Sequence, residues 1–410
     1  VQTCALPILQ DKNLVSLTLS DMLAKKDLGC EMDCIYLPQL LKAENYCAEK
    51  LKKLASVPAE DYLYRRIWYE RQRSGNPDLS VDVSGMAEEL GIQYDDVQLY
   101  AIRTAAASKG MVLTGGPGTG KTTVTQGIIE VFKKFKLHIL LAAPTGRAAK
   151  RASESTGMEA KTIHRLLGYS GSGTFEHNEE HPLEGDILII DESSMIDLRL
   201  MSSLLKAVPE NMRLILIGDI NQLPSVGPGT VLKDIIDSGV FPVVRLTKIF
   251  RQAAESHIIT NAHRINDGLF PVIDDSDPKN DFFLDMMDKK GEKLEASEIA
   301  ERTAQAIIKL LTDTIPNIYH IQPKDIQILA PMRNGSAGTI ALNKLAQEAL
   351  NPEGPTIAFE GYSYRKGDRV IQTKNDYEKG VFNGDIGYIV AVNTEKELLK
   401  VEFLDTDKQE

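Results

Sequence analysis

The chain is poor in cysteine, has no long apolar run and carries less positive than negative charge. Its four cysteines do not have the spacing of a metal site, so they read as reduced, structural thiols in a cytosolic setting. Cys30 and Cys34 read as packing residues. No apolar run approaches the roughly 20 residues needed to span a bilayer, and the first residues do not read as a secretory leader. Lys and Arg number 47 against 58 Asp and Glu, a formal net charge of −11. That argues against wholesale coating of nucleic acid but leaves room for a local basic track. There is no initiator methionine. Residues 1–8 read as a translated sequencing-library adapter, so the expectation is an assembly scar on a gene incomplete at its 5′ end. An intact genomic copy encoding the same eight residues upstream of Leu9 would refute this. These residues are left out of fold reasoning.

What is present is an ordinary globular composition, long enough for two to four domains. The chain is organised around one stretch. Met111, Val112 and Leu113 read as a short buried strand. Gly115-x-x-x-x-Gly120-Lys121-Thr122 follows, and then a helical run from Val124 to Phe132. Strand, glycine loop and helix make the setting of a phosphate-binding loop. Gly116, Pro117, Gly118, Thr119 and Gly120 let the backbone turn its N–H groups inward, and the helix start adds a positive dipole end. Lys121 reaches the β- and γ-phosphates, the Thr122 hydroxyl holds Mg²⁺, and Thr123 continues the helix start. The implied ligand is ATP with Mg²⁺.

The partner of such a loop is a strand-end carboxylate. Residues 186–190 read as a fully buried strand delivering Asp191 and Glu192. Asp191 suits Mg²⁺ and Glu192 suits polarisation of an attacking water. A second buried strand, 213–217, ends in Gly218-Asp-Ile-Asn-Gln222, where the Gln222 amide could sense a γ-phosphate. After a strand at 243–246, Arg251 is placed to reach a phosphate; from position alone a surface salt bridge is an equal use. Gln98 lies on a helix over 94–108, and its amide matches an adenine edge.

The strand at 138–142 ends in Pro144-Thr-Gly-Arg147. Thr145 and Arg147 therefore meet ligands at a strand's carboxyl end, and Thr162 and His164 open a further basic helix. Residues 133–165 hold eight Lys and Arg against two Glu, a net of +6; from charge alone this is a solvated helix face. Residues 168–182 suggest a β-hairpin or a flexible loop. Near the start, a helix over 14–23, a strand over 32–37 and a helix from Pro38 suggest a small winged-helix-like unit, read as a packing module. Residues 61–73 form an aromatic and basic helix best used in packing, and 74–77 a linker. Residues 274–293 read as a loop excursion and 296–311 as a helix. A buried strand at 326–329 leads through a turn to a helix over 339–350, implying a second α/β domain. From Tyr364 short alternating strands suggest the start of a β-barrel.

Taken together these segments resemble the RecD-like ATP-dependent DNA helicases of superfamily 1B. Asp191-Glu-Ser-Ser-Met-Ile-Asp197, Gly218-Asp-Ile-Asn-Gln-Leu-Pro-Ser-Val-Gly-Pro-Gly229 and Phe382-Asn-Gly-Asp-Ile-Gly387 carry the likeness, which runs from about 94 to 390. The resemblance implies an α/β fold of two RecA-like P-loop NTPase motor domains, the second incomplete. A helical, winged-helix-like region precedes them and a partial SH3-like barrel follows. The implied boundaries are 9–92, 93–245 with the hairpin insertion, 246–362 and 363–410. It also implies 5′→3′ movement on single-stranded DNA and at duplex junctions, in repair or recombination, by a cytoplasmic monomer. Gln98 becomes the adenine reader, Lys121 and Thr122 the phosphate and Mg²⁺ ligands, Asp191 the metal ligand and Glu192 the base. Gln222 becomes the coupling residue and Arg251 the finger. Thr145, Arg147, Thr162 and His164 become DNA contacts, and 168–182 the duplex-splitting hairpin. The family's Lys-Ser-Gln-Gly and Thr-Arg-Ala segments do not occur in these residues. Losing one phosphate-facing arginine costs a factor of about 10³ or more, so slow hydrolysis and poor unwinding are expected of this stretch. The alternatives are the RecD subunit of an exonuclease, the helicase half of a relaxase, an ATP-dependent switch that binds DNA without unwinding it, and, less well matched, a nucleotide kinase.

Overall fold

The structure is a computed structural model of the chain. It describes residues 12–31, 34–56, 85, 91–169, 174–250, 255–274, 276–277, 279–287, 294–359, 361–373, 376, 379, 381 and 384–403. Residues 1–8, the helix read over 61–73, the linker at 74–77 and Arg251 lie outside this set. Two compact units divide the chain, Val1–Val272 and Ile273–Glu410.

The first unit opens with α1 (Lys12–Ala24), β1 (Gly29–Glu31), β2 (Cys34–Tyr36) and α2 (Pro38–Ser56). Pro38 takes the first helical position, where its missing N–H costs nothing. β1 and β2 pair antiparallel. Cys30 and Cys34 are exposed on this hairpin, which corrects their reading as packing residues. A lone two-stranded hairpin has no second layer to bury both of its faces.

A six-stranded parallel sheet forms the centre. Its strands are β3 (Gly110–Gly115), β4 (Ile139–Ala143), β5 (Ala160–Thr162), β6 (Ile187–Ile190), β7 (Arg213–Gly218) and β8 (Val243–Leu246), in the order β5-β4-β6-β7-β3-β8. Before, between and after them run α3 (Asp96–Ala107), α4 (Lys121–Lys134), α5 (Gly146–Thr156), α6 (Ile163–Leu166), α7 (Leu198–Ala207), α8 (Val231–Ser238) and α9 (His257–Asn266). Alternate strand residues feed opposite faces. Val112, Leu188, Ile190, Leu214 and Leu216 pack with α2, α6, α7 and α8. Met111, Leu113, Ile187, Ile189, Ile215 and Ile217 pack with α3, α4 and α5. A parallel sheet covered on both faces needs apolar side chains in both directions, and this is why its strands read as unbroken apolar runs. Each fully buried Leu or Ile contributes roughly 1.5–3 kcal/mol.

Helix α2 joins this core as a packing module. Cys47, Leu51 and Leu54 share a cluster with Met201, Leu204 and Leu205 of α7. Lys53 pairs with Glu210 at 2.6 Å, and Lys206 lies over the Tyr46 ring. Two cations are buried at the amino edge of the sheet. Lys109 donates to the Asn211 carbonyl at 2.5 Å, and Arg213 donates to the carbonyls of Ala105 and Ser108. Burial, with Arg213 as the second cause, pulls the Lys109 ammonium down to about 8.

In the second unit α10 (Ala296–Lys309) continues through a π-turn into α11 (Ile315–Tyr319), and α12 (Thr339–Leu350) follows. β9 (Thr356–Phe359) pairs with β10 (Tyr362–Arg365), and β11 (Arg369–Ile371), β12 (Ile386–Asn393) and β13 (Leu398–Phe403) form an antiparallel sheet. The sequence suggests turns at 366–368, 383–385 and 393; the chain turns at 366–367 and 394–397, and residue 383 lies outside the described residues. The Asp368 carboxylate gathers this region, accepting from Gln347 Nε2, Asn351 Nδ2 and the Arg365 N–H at 2.5, 2.7 and 2.7 Å. The strand expected over 326–329 does not form, and Leu329 is 87% exposed. A strand exists through its ladder, and no described residue pairs with this run. Among the described residues no helix is long and apolar enough to cross a membrane.

Candidate nucleotide site and nucleic-acid edge

Because the strands are parallel, their carboxyl ends share one edge. Along that edge stand Thr162 at the end of β5, Thr145 after β4, Asp191 and Glu192 after β6, Asp219 and Gln222 after β7, the glycine loop after β3, and Phe250 beyond β8. Four strand spacings separate β5 from β3, about 19 Å.

The loop turns where glycine allows it. Gly120 has φ 82° and begins α4; a Cβ there would lie 2.5 Å from Gln98 Nε2. Gln98 is therefore packed against the loop despite lying over twenty residues upstream. It is buried, and its Oε1 accepts from the Asp95 N–H at 3.1 Å in a reciprocal cap of α3. Lys121 Nζ donates to the carbonyls of Gly115 and Gly116 at 2.6 and 3.1 Å. Thr119 Oγ1 donates to Gly116 at 2.8 Å. Thr122 is exposed at the helix start. Segments after β8 close on the same loop. The Phe250 N–H donates to Gly118 at 3.3 Å, and His263 Nε2 lies 3.2 Å from the Pro117 carbonyl.

Facing the loop, Asp191 Oδ1 accepts from the Glu192 N–H at 2.9 Å. Glu192 sits in the left-handed region, φ 51° and ψ 39°, an unusual place for glutamate and a form of strain met at functional sites. The next residue holds the turn, since Ser193 Oγ donates to the Ile217 carbonyl at 2.8 Å. Burial raises both carboxylates above their ordinary range. For Asp191 the Glu192 N–H, Lys121 and Arg151 oppose the rise. For Glu192 the neighbouring Asp191 adds to it, Lys121 and Arg151 oppose it, and Asp219 adds a little more. Glu192 Oε2 is buried with no partner among the described residues.

This donor set fits Mg²⁺. A hard cation held by one carboxylate and a hydroxyl, with phosphate and water completing its shell, needs no cluster of protein ligands. Among the described residues no group of three or more His, Cys, Asp or Glu side chains forms one.

At the other end of the edge, Thr145 caps α5 by accepting from the Ala148 N–H, and Thr162 caps α6 by accepting from the Arg165 N–H. Ala143 and Thr162 are opposite in the β4–β5 register, so these two helix starts stand side by side. Arg147 is exposed beside them. His164 meets Tyr169 edge to face and Phe175 at a tilt, ring centroids 5.6 and 5.9 Å away. Tyr169 and Phe175 form an isolated antiparallel bridge; of the span suggested as a hairpin, 168–182, residues 170–173 lie outside the described residues. Burial lowers the His164 pKa, with Asp197 opposing. Lys133, Lys134 and Lys136 follow α4 to the opposite edge, and the basic run is split in two.

Comparison with known proteins decides the family. A family model described as an AAA domain matches residues 98–228. One described as the SH3 domain of ATP-dependent RecD-like DNA helicases matches residues 342–403. The ATP-dependent RecD2 DNA helicase of Deinococcus radiodurans is 36% identical over 373 residues, 90% of this chain and 46% of that protein. The chain belongs to the RecD-like helicases. The RecBCD enzyme subunit RecD of Mycolicibacterium smegmatis is 30% identical over 81% of this chain and 65% of its own length. The chain thus spans about half to two thirds of the length of these relatives. A solved structure of two Pif1 helicases at forked double-stranded DNA aligns over 78% of this chain and 75% of that one, at 18% identity and a TM-score of 0.43.

In this RecD-like chain the fold gathers Gln98, Lys121, Thr122, Asp191 and Glu192 around one loop and sets Thr145, Arg147, Thr162 and His164 apart from them. Gln222 is exposed beyond β7, between the strand that delivers Asp191 and Glu192 and the strand that delivers the loop. Sequence reasoning missed Arg151, Asp219, Phe250 and His263 as site neighbours. Asp219 carries the same signal as Asp191, a carboxylate after a buried strand. Arg151 was visible only as one charge in a basic run, and His263 had no local signal.

Proposed function

We propose that this chain is the motor part of an ATP-dependent DNA helicase that moves 5′→3′ on single-stranded DNA and separates duplex at junctions. The observation that carries this is the shared sheet edge: a phosphate loop facing two burial-raised carboxylates at one end, and paired helix starts beside an aromatic-anchored bridge at the other. In the proposed division of labour, the loop N–H groups and Lys121 bind phosphates, with Gly116, Pro117, Gly118, Thr119, Gly120 and Thr123 shaping the cradle. Thr122 and Asp191 hold Mg²⁺, which when bound neutralises phosphate charge. Glu192 orients the attacking water and takes its proton. Gln98 abandons its cap bond to read adenine. Gln222 passes the nucleotide state along the edge, and Arg251 supplies a finger. Thr145, Arg147, Thr162 and His164 contact the strand. Residues 93–245 and 246–362 are proposed as the two motor domains, with the barrel beyond. The 410-residue stretch assayed alone is proposed to hydrolyse slowly, as a cytoplasmic monomer.

The test is ATP hydrolysis with and without single-stranded DNA, on this chain and on a version extended by a relative's C-terminal motifs. Strand separation is then compared on substrates with 5′ and 3′ tails. DNA stimulation of the extended version and preference for the 5′ tail are expected. No response to DNA from either would favour the non-unwinding switch. The likeness to RecBCD subunits named RecD keeps a second reading open, a subunit of a nuclease complex. Capture of a DNA-end nuclease by the full protein would support it.

A further inference from the structure

Four successive carbonyls of the phosphate loop are held by donors in this structure. Lys121 Nζ takes Gly115 and Gly116, His263 Nε2 faces Pro117 and the Phe250 N–H takes Gly118. Facing a carbonyl oxygen, the His263 nitrogen must carry its proton. The imidazole also fills the space beside Gly116, where a Cβ would lie 2.5 Å from its Cε1. His263 therefore packs against the same stretch of loop whose carbonyls Lys121 holds.

The helix bearing His263 has a second engagement. Two residues earlier, Asn261 is 1% exposed. Its Nδ2 donates to the Val272 carbonyl and its Oδ1 accepts from the Val272 N–H, both at 2.7 Å. Arg264 Nε donates to the Phe270 carbonyl at 2.9 Å, and the Leu269 N–H donates back to the Arg264 carbonyl at 2.8 Å. A buried amide that satisfies both backbone groups of one residue fixes that residue tightly, because releasing it strands two polar pairs. One short helix thus grips the loop with one side chain and residues 269–272, where the first unit ends, with two others.

We propose that His263 is a positioning residue of the phosphate loop, and that α9 carries the loop's state to the segment ending at Val272. This rests on the nucleotide reading above. A rigid helix can transmit a displacement, and the two ends of this one are held by specific hydrogen bonds rather than loose contact. Seating of a triphosphate shifts Gly116 and Pro117, moves His263 with them and loads the Asn261–Val272 pair.

The experiment is hydrogen exchange of the Val272 amide in the whole chain, with and without a non-hydrolysable ATP analogue and Mg²⁺, after analogue binding has been measured by calorimetry. In the unaltered chain the analogue is expected to change Val272 exchange severalfold. His263→Ala, with analogue raised to the concentration that calorimetry shows to saturate it, should leave Val272 exchange the same in both states. His263→Gln, whose amide nitrogen reaches toward the same carbonyl, should restore the response. Asn261→Ala should speed exchange with or without nucleotide. A His263→Ala chain that responds like the unaltered one overturns the proposal. Binding without any response at Val272 in the unaltered chain also overturns it and leaves the nucleotide reading standing. Failure to bind the analogue at all defeats both.

Discussion

The carboxylate of Asp197 lies directly against the α-carbon of Gly227. Its Oδ1 caps α7, accepting from the Leu200 N–H at 2.8 Å, while Oδ2 occupies the space that a Cβ on Gly227 would need. The loop after β7 is tied down again where the Leu198 N–H donates to the Pro228 carbonyl at 2.9 Å. Asp197 also acts on His164. One side chain thus connects the turn after Glu192, the loop bearing Gln222 and the helix start at Thr162.

Gly227→Ala should therefore cost more than an ordinary loop substitution. Overpacking of this kind costs about 1–3 kcal/mol, which for a unit of this size lowers Tm by several degrees. Thermal unfolding checks it. An unchanged Tm would mean that the loop moves aside freely.

Lys121→Ala should reduce hydrolysis by about 10²–10³, the scale for loss of one preorganised donor. It should weaken nucleotide binding too, because Lys121 Nζ is the ammonium held at the loop carbonyls of Gly115 and Gly116. Steady-state hydrolysis and calorimetric titration measure the two effects.

Glu192→Gln should lower hydrolysis by about 10²–10⁴ while leaving nucleotide binding largely intact. It should also stabilise the nucleotide-free protein at pH 7. The folded-state pKa of Glu192 is raised, so the folded state binds more protons than the unfolded one between the ordinary and the raised value. Stability therefore falls as pH rises through that window. The advantage of the glutamine variant should shrink as pH drops below the ordinary glutamate value. Denaturant titrations at pH 4 and 7 test this, and a variant less stable at both would contradict it.

Lys109 works in the opposite sense. Its pKa falls to about 8 in the fold, so the unfolded chain binds the extra proton between pH 8 and the ordinary lysine value. Its contribution to stability should rise with pH across that window. Lys109→Met should flatten this rise in denaturant titrations between pH 7 and 10.

Phe175→Ala should separate two activities of the proposed motor. Removing one ring of the His164–Tyr169–Phe175 cluster costs about 0.5–1.5 kcal/mol beyond lost area and loosens the bridge. Duplex separation should fall while DNA-stimulated hydrolysis persists. An equal loss of both would place the cluster in strand binding instead.

The placing of the glycine loop between a strand and a helix, and of Asp191 and Glu192 at a strand's carboxyl end, was legible from sequence because it is local. Each follows directly from a short apolar run that reads as a buried strand. The buried strands at 111–113, 138–142, 186–190, 213–217 and 243–246 were legible because a parallel sheet buries both faces. Strand β5 was not read, since Ala160-Lys-Thr162 is short and polar and owes its ladder to β4. The apolar run 326–329 misled for the same reason in reverse, having the composition of a strand and no described partner. Cys30 and Cys34 were misread because exposure depends on the layer above a hairpin, which its own residues do not encode. Only the tertiary structure decided that Gln98 is packed against Gly120, that Asp197 fits against Gly227, and that His263 reaches Pro117 from a helix about 145 positions later. Those relationships rest on close packing between segments distant in sequence, and no local pattern of residue types carries them.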